Sequence, residues 1–349
     1  MRSWFLLGMT TALSVTAATA TRFAYVANQG SNTLSEFSIN SSTGALTPLT
    51  NCPVINSTSP AGLAVDPTGR FLYVTNDSTQ SPSISLFTIN PTTGCLTAGP
   101  AVATGAGPAR IGINSSGACL YLSNQTANAI SAYRINPATG ALTFIGSTGT
   151  PAGPHGVAVD PFGQFVYIAD KGGTDISAFS IVVPGCGLAA VPGSPFATGS
   201  GPVSVAVDPV GQFLYVTNSG ANTVTLYLIN PTTGALTFSA TSPTGTVPAG
   251  VSVDPFGQFL YVANTSSATA SAFSINPATG ALTALPSAPT GTSPAGTFVD
   301  QSGRFLYVAN ATSGSVSGYQ INQVSGHLTA SPGSPFAAGT TPVSVVITP

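Results

Sequence analysis

Five side chains in this sequence have the types and spacing that chemistry could use: Arg110, His155, Asp170, Lys171 and Asp175. A histidine can take a proton from water, a cation can hold a developing oxyanion, and a carboxylate can orient an imidazole. With His155 as base, Arg110 as cation and Asp170 as the orienting group, the set has the parts that attack of water on a carbonyl would need. Lys171 and Asp175 would stand on the rim of such a site. They are conspicuous because only 5% of the residues are charged, against about 25% in an average chain. The same five also admit a plain reading, as an ion network on a rim beside a hydrogen-bonded histidine.

What must position them is a repeat. The hexapeptide Phe71-Leu72-Tyr73-Val74-Thr75-Asn76 is written seven times, its tyrosine recurring as Tyr25, Tyr73, Tyr121, Tyr167, Tyr215, Tyr261 and Tyr307. A period in the forties with several short apolar runs per repeat marks a β-propeller blade. In the second repeat, strand A covers 62–65, strand B 70–76 and strand C 84–90, with a short strand D around Leu96. Asp66-Pro67-Thr68-Gly69 turns A into B, and Asn90-Pro91-Thr92-Thr93-Gly94 turns C into D. The fold class is therefore all-β, a single seven-bladed propeller with four-stranded blades. The sequence enters at a strand B (22–28) and its last residues (342–348) match strand A. The C-terminal strand thus completes the N-terminal blade and closes the ring. Strand A carries small residues where inner strands converge: Gly62, Gly156, Ser204, Gly250, Gly296 and Ser344. Arg110 is the exception. The D–A and B–C loops share one face of such a disc, so all five candidates fall on that face, on blades 3 and 4.

Residues 1–20 read as a signal peptide, with Arg2, an apolar run from Trp4 to Val15, and Ala18-Thr19-Ala20 as the cleavage site. The propeller then occupies 21–349, and the protein is expected to be secreted, periplasmic or on the cell surface. No later segment is long and apolar enough to span a bilayer. The formal net charge is −2, with no basic patch to meet nucleic acid or a membrane surface. A monomer that meets a neutral small molecule or glycan is expected. No metal-ligand spacing and no cofactor motif stands out, so neither is expected. Cys52, Cys95, Cys119 and Cys186 allow one or two disulfides, with three full pairings open. Cys119 replaces the first apolar residue of the hexapeptide and could equally be a small buried hydrophobe. Asp66, Asp160, Asp208, Asp254 and Asp300 recur in the A–B turns and read as turn formers. Glu36, the only glutamate, reads as a solvated or paired charge. Seven Asn-x-Ser/Thr sequons (Asn40, Asn56, Asn76, Asn114, Asn124, Asn264 and Asn310) would matter only in a glycosylating host.

The Y-V-[TA]-N core, with D-P-x-G and N-P-x-T-G turns, resembles the YVTN-type propellers of the lactonase-like superfamily over the whole of 21–349. That superfamily includes lactone-hydrolysing and lactone-forming enzymes, such as 6-phosphogluconolactonase-like proteins, and surface repeat proteins of no known chemistry. Gly153-Pro154-His155 with Ala169-Asp170-Lys171-Gly172-Gly173-Thr174-Asp175 is similar to its histidine-bearing repeat, with an extra residue between Gly172 and Asp175. The resemblance leaves two functions open. The near-uniform repeat and the scarcity of ionisable groups favour a non-catalytic binding or surface-scaffold module. The alternative is a lactone (carboxylic ester) hydrolase centred on His155, its substrate unphosphorylated because one arginine is too few for a phosphate. In that case activity should rise with pH through a histidine-like ionisation. Neither His155 nor Arg110, lining an open channel, should matter much to stability.

Overall fold

A computed structural model describes residues 21–349, which form seven antiparallel sheets and, among the described residues, no helix. The expected signal peptide, 1–20, lies outside the described residues. The inner strands of successive blades touch in a closed circuit, each meeting the next and the last meeting the first. Blade 1 is composite: its inner strand is Pro342–Ile347, which pairs antiparallel with strand B, Arg22–Asn28, placing Tyr25 opposite Val346. The seam is reinforced by Thr348, whose hydroxyl accepts the Phe23 N–H at 2.9 Å, and by an ion pair between Arg22 and Asp300 of blade 7. Among the described residues, this pairing leaves neither terminal strand, Arg22–Asn28 nor Pro342–Ile347, unpaired on the side that faces the other.

Strand B is buried along its whole length in blades 2 to 7, as expected for a strand sandwiched between neighbouring sheets. In blades 1, 2, 4 and 7 the outer strand D is interrupted, and a short second piece pairs back to strand C. The A–B aspartates are turn formers: Asp160 Oδ1 accepts the backbone N–H of Gln164 and Phe165 at 2.6 and 2.7 Å, and the others repeat the pattern.

Neighbouring blades are joined by a repeated lock. The strand-B tyrosine hydroxyl donates to the carbonyl of the glycine that ends the next blade's C–D turn. Tyr25 meets Gly94, Tyr73 meets Gly140, and Tyr307 meets Gly44, each at 2.7 Å. Tyr167, Tyr215 and Tyr261 do the same with Gly234, Gly280 and Gly326. The phenylalanine two residues before the tyrosine covers that glycine. A Cβ on Gly94 would come within 2.3 Å of the Phe23 ring, and the residue sits at φ +75°. Both requirements select glycine.

One joint is different. At blades 3 and 4 the phenylalanine is replaced by Cys119, which is disulfide-bonded to Cys186 in a C–D turn lacking the N-P-x-T-G pattern. The buried hydroxyl of Tyr121 there has no partner. A covalent bond has taken the place of the Tyr–Gly lock, so Cys119 is more than a buried hydrophobe. The second disulfide, Cys52–Cys95, spans blades 1 and 2, where the ordinary lock is also present.

Candidate functional site

The site is built from the inner-strand ends of blades 3 and 4. Arg110 lies in strand A of blade 3 (Pro108–Ile113) and His155 in strand A of blade 4 (Pro154–Val159). Their backbones are tied by one hydroxyl from strand B of blade 3. Ser123 accepts the Arg110 N–H at 3.0 Å and donates to the His155 carbonyl at 2.6 Å. Thr75 and Thr217 bridge equivalent positions in blades 2 and 5. Lys171 follows strand B of blade 4. Its N–H donates to the Gly153 carbonyl at 2.9 Å, pinning the B–C turn onto the segment that leads into His155.

Arg110, His155 and Lys171 line one axial cavity of about 420 Å³, whose lining also includes Leu63, Ile111, Phe298 and Val346. Those four also line a second cavity towards the opposite face. No aspartate or glutamate lines the upper cavity. Arg110 reaches across the inner ring: one terminal nitrogen donates to the Ala61 carbonyl of blade 2, the other to the Val343 carbonyl of blade 1 at 3.3 Å. That leaves three of the roughly five guanidinium N–H groups free. Arg110 is therefore a strut as well as a cation, whereas the expectation of little effect on stability assumed a side chain lining an open channel. Burial lowers its pKa to about 10, still charged in any ordinary buffer.

His155 Nδ1 lies 2.9 Å from the Val203 carbonyl of blade 5. A carbonyl only accepts, so Nδ1 carries the proton and Nε2 keeps its lone pair. Desolvation among the inner strands, then the charges of Arg110 and Lys171, push the histidine down to about 3. The ring is half-buried by surface, and the channel still reaches it, but the surrounding protein outweighs that exposure. Burial and the Arg110 charge lower Lys171 as well.

Asp170 and Asp175 do not join this cavity. Asp170 ends strand B of blade 4 and is fully buried, where other blades place an asparagine. Those asparagines donate to strand-C hydroxyls, as Asn76 does to Ser83 and Ser85 and Asn218 to Thr225. Asp170 instead accepts from Ser177 at 2.7 Å, and burial raises it to about 7. The imidazole is oriented by Val203, not by Asp170. Asp175 faces Asp170 across the strand pair and is half-buried.

Other residues also separate by burial. Among the sequons, Asn76, Asn114, Asn124, Asn264 and Asn310 are buried, and only Asn40 and Asn56 are exposed. Glu36 is neither solvated nor paired: it is buried, both carboxyl oxygens lack partners, and burial raises it to about 7. Its register position opposite the strand-B tyrosine holds Leu86, Ala132, Ala178, Leu226, Ala272 or Gly318 in the other blades. Among the described residues no group of three metal-ligating side chains converges. Sequence reasoning passed over Ser123 and Val203. The hydroxyl position of Y-V-[TA]-N could have flagged the serine, but nothing marks a valine whose carbonyl does the work.

Seven blades and an axial cavity with cations at one mouth define a ring-closed propeller with an asymmetric axial site. The chain belongs to the lactonase family of seven-bladed β-propellers, which it matches over residues 10–103, 97–187 and 186–297. No curated protein matches it. Among solved structures it is similar to a candidate 6-phosphogluconolactonase from Bacteroides fragilis, at 22% identity and a TM-score of 0.85, covering 97% of this chain and 100% of that one. A periplasmic gluconolactonase from Pseudomonas aeruginosa is similar at 19% identity and a TM-score of 0.83, covering 95% and 99%. A protein from Lactobacillus plantarum matches as well, at 19% and 0.83, covering 95% and 100%. At these identities the likeness concerns the fold.

Proposed function

We propose that the chain is an exported lactone hydrolase whose site is the upper cavity. The observation that carries this reading is that Arg110, His155 and Lys171 line one cavity that no carboxylate lines. A lactone carbonyl placed there would meet two cations and the free N–H groups of Arg110. Water would give its proton to His155 Nε2 as its oxygen attacks the carbonyl carbon. The oxyanion would form against Arg110 and Lys171, and the ring C–O bond would then break, the leaving alkoxide recovering the proton from the imidazolium. His155 is a weak base at about 3, so its share falls at the low end of general-base catalysis, about 10²-fold.

The same weakness favours a second reading, non-catalytic binding of a neutral ligand or glycan in this cavity. The two are separated by a screen of neutral γ- and δ-lactones with wild type and His155→Ala side by side. Hydrolysis by wild type that falls about 10²-fold in the variant supports the enzyme. Equal rates at the level of a buffer blank sink it. The expected histidine-like rise with pH is also revised. A histidine already neutral above about 3 predicts a rate that is flat from pH 5 to 8 once hydroxide's own reaction is subtracted.

A further inference from the structure

The upper cavity has two unlike walls. Blades 3 and 4 present Arg110, His155 and Lys171, while blades 5, 6, 7 and 1 present the hydroxyl-bearing residues Ser204, Ser252, Thr297 and Ser344. No acidic side chain lines either wall, so the two cations face the cavity without a counter-charge. Three other arginines are engaged: Arg22 pairs with Asp300, and Arg70 and Arg304 stack on Phe71 and Phe305 while donating to backbone carbonyls. Like charges held around a shared space, with nothing between them, attract an anion.

We infer that this cavity retains a small hydroxylated carboxylate, its anionic head on Arg110 and Lys171 and its hydroxyls towards the serine and threonine wall, more tightly than the corresponding neutral molecule. The inference rests on the proposed function, since ring opening of a neutral hydroxylated lactone produces such a carboxylate. Chemistry at this site would then end in a tightly held product, and turnover would be limited by its release and relieved by salt. The mutual effects of the site's groups agree with the placement. Arg110 and Lys171 lower His155, and Arg110 lowers Lys171. An anion seated between them should therefore raise the histidine towards its ordinary value.

The test is calorimetric titration at low ionic strength with sodium gluconate and, separately, glucose as a neutral probe of similar size. Wild type and Lys171→Gln are compared. Lys171 is exposed at the mouth of the cavity and its side chain holds no other element, so the variant should fold. Gluconate should bind at least about tenfold more tightly than glucose, weaken as sodium chloride is added, and lose about tenfold in Lys171→Gln, the equivalent of about 1.4 kcal/mol. In parallel, the His155 ring signals should titrate at a higher pH with gluconate present than without it. Glucose binding as tightly as gluconate, or gluconate binding indifferent to Lys171→Gln, would overturn the inference. Gluconate binding with no hydrolysis of any lactone would leave the anion site standing and remove the proposed function. Hydrolysis without gluconate binding would do the reverse.

Discussion

The joint between blades 3 and 4 and the six other joints solve the same packing problem with different chemistry. At the ordinary joints a phenylalanine lies over a glycine and a tyrosine hydroxyl reaches that glycine's carbonyl. At the joint under the candidate site a disulfide does the work and the tyrosine hydroxyl is left without a partner. The ordinary lock depends on a glycine at the end of an N-P-x-T-G turn. Blade 4 replaces that turn with Val182-Val183-Pro184-Gly185-Cys186-Gly187, and the carbonyl is no longer presented. The comparison teaches that the repeat tolerates loss of its own lock where a covalent bond spans the same gap. That place is where Arg110, His155 and Lys171 stand on adjacent blades.

The severest way to break the comparison is to open the ring at the seam that both chain ends share. Deleting 342–349 removes the inner strand of blade 1, with Val345, Val346 and Ile347 buried and Val343 partly so. At about 1.5–3 kcal/mol per buried aliphatic side chain, the loss of about 6–12 kcal/mol rivals a domain's whole stability of about 5–15 kcal/mol. The truncated protein should aggregate or melt far lower, and near-native melting would show that the seam is dispensable.

A smaller effect separates the two disulfides. Replacing both Cys119 and Cys186 with alanine should cost about 2–4 kcal/mol. Hydrogen exchange should quicken in strand B of blade 3 (Cys119–Asn124), since that joint has no Tyr–Gly lock to stand in for the disulfide. Replacing Cys52 and Cys95 should leave exchange in Arg22–Asn28 nearly unchanged, because Phe23 and Tyr25 still engage Gly94. Equal loosening at both joints would mean that the tyrosine lock contributes nothing.

The same two blades supply a pH-dependent contrast. Asp170, raised to about 7 in the folded chain, is ordinarily near 3.9 when unfolded. The folded state therefore binds the proton more tightly, and the stability this gives is complete below about pH 4 and lost as pH rises through 7. Asp170→Asn restores the amide found in the other blades. It should stabilise the protein by about 1–2 kcal/mol at pH 8 and change little at pH 4. Denaturant melts at the two pH values check the sign.

The smallest effect is the sharpest. Tyr73→Phe removes a made hydrogen bond and should cost about 1 kcal/mol. Tyr121→Phe removes a buried hydroxyl that has no partner and should be neutral or slightly stabilising. Equal losses for the two would contradict the difference between the joints.

Much of this was legible in the chain alone, because strand identity, blade count and ring closure follow from local periodicity and turn chemistry. The seven tyrosines, the D-P-x-G turns and the strand-A match at 342–348 fix the propeller without reference to contacts. The convergence of Arg110, His155 and Lys171 follows from repeat position too, since position within a blade sets height and radius. Other assignments needed the folded molecule. Asp170 shares the face and the loop of the candidates, yet its side chain is committed to Ser177 and does not line the cavity. Whether Glu36 is paired, which cysteines bond, and which nitrogen of His155 keeps its lone pair are set by residues tens to hundreds of positions away. The elements and their order are written locally, because short-range sterics and alternating burial act within one repeat. The charge state and partners of each buried group are set by the folded ring, because desolvation and Coulomb interactions depend on what it brings alongside.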